Sequence, residues 1–105
     1  MKIFKELKKL GYIHYSATTI EELDDLPLNS AERISEQALV LRWFREKYQL
    51  HYYIIMFSSG MIEYEIINLK NSHKTHSSEY KTYEEAELEC LVKLIDIVKK
   101  QNLKG

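Results

Sequence analysis

The chain has one cysteine, one proline and three glycines among its 105 residues. A single cysteine, Cys90, excludes an internal disulfide framework and gives no sign of an oxidising compartment. With glycine only at Gly11, Gly60 and Gly105, no glycine-rich loop is available to cradle phosphate, and no Gly-x-Ser-x-Gly elbow occurs. Basic excess is also missing. Lys+Arg total 15 against 16 Asp+Glu, a formal net charge of -1, which removes the general attraction on which non-specific nucleic-acid binding rests. No apolar run approaches the length of a membrane span. The first residues, Met1 to Glu6, carry charges where a signal peptide needs an apolar core, so a cytoplasmic location is expected.

What is present is globular composition, 45% hydrophobic and 30% charged. The length fits one domain, residues 1–105, with a small core. Lys2 to Leu10 reads as a short helix with Ile3, Phe4, Leu7 and Leu10 on one face and Gly11 as its αL cap. "YIHYS" reads as a short strand or an extended connector. Thr18 and Thr19, each followed three residues later by a glutamate, open a second short helix that Pro27 stops. A longer helix is expected after Asn29 or Ser30, running to about Tyr48. Its wheel places Ile34, Ala38, Leu41, Phe44 and Tyr48 on one side and Leu39 with Trp43 nearly opposite.

The run "LHYYIIMF", residues 50–57, reads as a strand apolar on both pleat faces. Ser58, Ser59 and Gly60 turn the chain, and "MIEYEIINL" returns with Ile62, Tyr64 and Ile66 on one face and Glu63 and Glu65 on the other. Residues 70–80 read as a polar loop, with a third strand possible over residues 76–81. Thr82 and Glu85 form a capping box for a last helix that ends in Lys99 and Lys100. The fold class expected is therefore α+β, with short N-terminal helices, a long helix, an antiparallel hairpin or three strands, and a C-terminal helix packed on the sheet.

That last helix has more apolar residues than one face requires. Ala86, Cys90, Leu91, Leu94, Ile97 and Val98 form the core stripe; Leu88, Val92 and Ile95 extend it well past the arc a surface helix needs. The surplus points to a partner surface, and Leu88, Val92, Ile95, Leu39 and Trp43 are the candidate interface. A covering by the N-terminal 30 residues is the alternative.

Chemistry finds little purchase. His73 and His76 have ligand-like spacing, but a zinc site needs at least three protein ligands, and nothing places His14, His51 or Cys90 beside them. Cys90 lies on the core stripe behind a glutamate-rich turn, which opposes a reactive thiolate. Tyr52, Tyr53 and Tyr64 read as sheet packing rather than a base-stacking platform, since Glu63 and Glu65 stand beside them. No catalytic residues, cofactor or metal are expected, and the chain reads as a non-enzyme. The only local basic group is Arg42, Arg45 and Lys47 on the long helix with Lys70 and Lys74 in the loop, the candidate contacts for nucleic acid.

Two resemblances rest on these segments. From Ala38 onward, "WFREKYQLHYYI", the hairpin returning through "IEYEII" and "YKTYEEAELECLVKLIDIV" resemble small uncharacterised proteins of bacteria and their prophages, a family that implies no known activity. The order helix, hairpin, then a helix opening "TYEEAE" resembles double-stranded-RNA-binding-like folds and HicB-type antitoxins. The RNA-binding members place lysines where this chain has Glu84, Glu85 and Glu87, so the resemblance implies the fold and not RNA binding. The function expected is a non-enzymatic protein-interaction module that self-associates. The alternative is a small nucleic-acid-binding domain of a phage or mobile element.

Overall fold

The computed structural model describes residues 2–15 and 17–103. Its elements run α1 (Ile3–Lys9), α2 (Ile20–Asp25), α3 (Ala31–Tyr48), β1 (Leu50–Met56), β2 (Ile62–Asn68), β3 (His73–His76) and α4 (Tyr83–Leu103). This is the expected α+β class, with a three-stranded antiparallel sheet in the order β1-β2-β3 and α4 packed on it.

Local chemistry sets most boundaries. Gly11, at φ 102°, closes α1 in a Schellman turn: Gly11 N–H donates to Lys8 O and Tyr12 N–H to Leu7 O, both at 3.0 Å. Thr19, Ser30 and Thr82 hydroxyls cap α2, α3 and α4 by accepting from Glu22, Arg33 and Glu85 N–H. The β1–β2 turn has Gly60 at φ 89°, with Gly60 N–H donating to Phe57 O at 2.9 Å. A type I turn followed by a left-handed glycine matches the twist of the strands it joins.

Register then sorts the sheet into two faces. Tyr52 pairs with Ile66 and Ile54 with Tyr64, and Ile66 pairs with Thr75. This face carries the buried Leu50, Ile62, Tyr64 and Ile66, and it packs against α3 and α4. Ala86, Cys90, Leu91, Leu94, Ile95 and Val98 of α4 are all fully buried in the same core, together with Ile3, Phe4 and Leu7 of α1.

Three expectations change. The third strand lies at 73–76, inside the segment read as a loop; beyond it only Tyr80 bridges back to Ile62. Its residues are polar, so no hydrophobic alternation announced it. On α3 the buried side is Arg33, Glu36, Gln37, Val40, Leu41 and Phe44, whereas Ile34 and Ala38 are exposed. The polar members are accommodated by hydrogen bonds. Arg33 donates to the Leu23, Asp24 and Leu26 carbonyls at the end of α2, and Glu36 accepts from Tyr12 O–H and Tyr15 N–H. Finally, Tyr53 lies on the outer face and is not packed.

Candidate interaction surface

Ile95 leaves the candidate interface. It is 0% exposed, because α1 lies against α4 and fixes itself there through Glu6, whose carboxylate accepts from Lys99 Nζ at 3.0 Å. Leu88 and Val92 are half-buried and pack against the core. Trp43 is enclosed by rings of its own chain: Tyr12, Phe44 and Tyr48 stand edge-on at 5.5, 5.1 and 5.3 Å, and Lys47 Nζ lies 5.4 Å over its face. Leu39, beside it, lines a shallow depression with Tyr15 and Arg42. N-terminal residues thus cover part of the surplus apolar surface, at Trp43 and where α1 lies against α4, while Leu88 and Val92 stay half-buried.

The basic candidates divide. Arg42 is paired with Glu46 at 2.8 Å, and Arg45 is exposed on the last turn of α3. Leu69 N–H donates to Gln49 O, which ties the end of α3 to the end of β2. Lys47 folds its amine over the Trp43 and Tyr48 rings, Lys70 follows β2, and Lys74 pairs with Ile67 on the outer side of β3, so the five candidates form no single patch. Lys100 of α4, on the helix-covered side, is paired with Asp96 at 3.1 Å.

The two histidines of the His-x-x-His spacing separate. On a strand, residues three apart point to opposite faces. His73 pairs with Asn68 on the helix-covered side, and His76 lies beside Glu65 on the outer side, Nδ1 to Oε2 3.4 Å. Among the described residues no group of three or more His, Cys, Asp or Glu is placed to hold a metal ion. Cys90 is fully buried, and burial followed by the charge of Glu87 pushes its thiol far above the ordinary range.

The open surface lies elsewhere, on β1. Phe57 N–H donates to Met61 O and Leu69 N–H to Gln49 O, which fixes the phase of the β1–β2 ladder. His51, Tyr53 and Ile55 turn their backbone groups toward β2, so Leu50, Tyr52, Ile54 and Met56 turn theirs to the outer edge. Among the described residues no strand or bridge occupies that edge. The edge is long, apolar and without lysine, arginine, aspartate, glutamate or proline from Tyr48 to Ile62. An edge of that kind is a ready template for another strand. The β3 edge is the opposite case, short and exposed, with Lys74 between two histidines and threonine.

Exposed apolar side chains collect on the same strand. On the outer face Tyr53 is 52% exposed and Phe57, just past the strand, 43%, with half-buried Ile55 between them, and Met56, on the inner face at the end of the strand, is 68% exposed. On the inner face a groove of about 280 Å³ opens between α3 and the start of α4, lined by Ile34, Ala38, Leu41, Tyr52 and Tyr83. Glu87 stands in this groove. Burial raises its carboxyl above the usual range, against hydrogen bonds from Gln37 and Tyr83 that lower it. The sequence did hold the signal for this surface, in a strand apolar on both faces, but only one of those faces is covered by helices.

No family model, curated protein or solved structure matches the chain. Among the described residues no helix is long and apolar enough to cross a membrane.

Proposed function

We propose that the chain is a non-enzymatic protein-interaction module that self-associates, and that the β1 edge with its flanking apolar side chains is the surface it uses. The observation that carries this reading is the unprotected edge. Among the described residues its outward N–H and C=O groups lack a strand partner, and Tyr53, Met56 and Phe57 lie exposed alongside. Soluble domains ordinarily blunt such an edge with charge, proline, a bulge or a covering element, as the lysine and histidines do at β3. Leaving the four outward-turned residues of this seven-residue strand unpaired is understandable if another chain completes the sheet. This moves the interface from the α4 stripe, whose Ile95 is internal, to the strand.

Sedimentation equilibrium of the intact chain across a wide concentration range tests it. The expected result is reversible association with a defined stoichiometry. A monomer throughout removes the self-associating reading.

A further inference from the structure

We infer that the partner at this edge is a second copy held by antiparallel β1–β1 pairing, with the two-fold axis passing through Tyr53. The inference rests on the self-association proposed above and specifies its geometry. The outward-turned residues are Leu50, Tyr52, Ile54 and Met56. With Tyr53 opposite Tyr53, Leu50 meets the partner's Met56 and Tyr52 meets the partner's Ile54, so every outward residue is paired. Two-fold registers centred on Tyr52 or on Ile54 each push one strand end against α3 or the Ser58–Gly60 turn, and leave Met56 or Leu50 unpaired.

The chemistry of the strand fits its own reverse. Aromatic against β-branched and aliphatic against aliphatic are favourable cross-strand pairs. Because no acidic residue, lysine or arginine occurs between Tyr48 and Ile62, self-pairing sets no like charges opposite each other. The same operation at the β3 edge would bring Lys74 and its histidines against their copies. The register also places the partner's Ile54 beside Tyr52, at the mouth of the groove lined by Ile34, Ala38 and Leu41, and both copies keep their helices on one side of a continuous six-stranded sheet. Outside, the row Tyr53, Ile55 and Phe57 joins its copy across the axis, which merges two apolar patches into one.

Two substitutions read the register. Tyr53 would sit in a non-hydrogen-bonded pair with Cα atoms about 4.5 Å apart, within the range a disulfide spans. Mild oxidation of Tyr53→Cys should therefore give a covalent dimer, and Cys90 is too buried to compete. Glu63→Cys, one strand farther from the axis, should not cross-link. Tyr53→Lys sets two ammonium groups face to face across the axis, while within one copy the new amine faces Glu65. It should be folded by circular dichroism and monomeric by sedimentation.

A parent dimer, cross-linking at 53 and not at 63, and a monomeric Tyr53→Lys variant support the proposal. If Tyr53→Lys fails to fold, the cross-linking pair decides alone. A parent that dimerises without cross-linking at 53 overturns the register but leaves self-association standing. A parent that is monomeric at every concentration overturns both.

Discussion

Glu87 and Tyr12 mark the two ways in which this small domain handles polar side chains in its interior. Tyr12 donates its hydroxyl to Glu36 and lies edge-on to Trp43, so a residue from the N-terminal connector closes the polar and the aromatic sides of α3 together. Glu87 is less completely satisfied. It accepts from Gln37 Nε2 at 3.0 Å but lies half-buried beneath Tyr83, and burial holds its pKa above the ordinary value. The folded chain therefore binds the Glu87 proton more tightly than the unfolded chain does. Where both forms are protonated, below the ordinary carboxylate pKa of about 4.3, there is no penalty. As pH rises through the raised value, ionisation comes at the expense of folding. Glu87→Gln keeps the acceptor and removes the charge. Its melting temperature should exceed the parent's at pH 7, and the two should converge in acid; equal stability at pH 7 would contradict this. None of these partners was legible in the sequence, where only the apolar positions of the long helix, Ile34, Ala38, Leu41, Phe44 and Tyr48 against Leu39 and Trp43, gave it sides. A periodic pattern reports apolar positions and is silent on polar ones that find bonds across the fold.

Individual elements were more legible than their contacts. Thr19, Ser30, Thr82 and Gly11 end or begin helices where their local chemistry places them. The hairpin and its glycine turn likewise follow from residues 50–68 alone. α1 is different, since its own N-terminus has no side-chain cap. Asp24, in α2, does that work from a distance, accepting from Phe4 N–H at 2.8 Å and Lys5 N–H at 3.1 Å. Its charge also suits the positive end of the α1 dipole. Arg33 holds the end of α2 from the other side, so α1, α2 and α3 form one locked unit over α4. Asp24→Ala should cost about 0.5–2 kcal/mol, the usual worth of a cap, measured by chemical denaturation. The loss should be accompanied by faster exchange of α1 amides, with the sheet unaffected. A variant as stable as the parent would show that α1 is held by its apolar face alone. The packing of α1 on α4 is also why the surplus misled at Ile95, which is fully buried in one core with Ile3, Phe4 and Leu7.

The molecule as a whole distributes its surfaces unevenly. Helices cover one face of the sheet, and the charged and short β3 guards one edge. What remains open is β1. Its exposure was not readable from the run "LHYYIIMF", because the same residues would appear in a strand covered on both sides. Only the arrangement of α3 and α4 on a single face leaves Tyr53, Ile55 and Phe57 outward. Only the place of β1 at the end of the strand order leaves the backbone groups of Leu50, Tyr52, Ile54 and Met56 without a strand partner among the described residues.

The most direct test is amide hydrogen exchange along β1 as a function of protein concentration. The amides of His51, Tyr53 and Ile55 are bonded to β2 in a single copy and should be protected at all concentrations. Those of Tyr52, Ile54 and Met56 should exchange fast in dilute solution and become protected as concentration rises, turning an alternating pattern into a uniform one. Alternation that persists at every concentration would contradict β1 as the surface through which the chain associates.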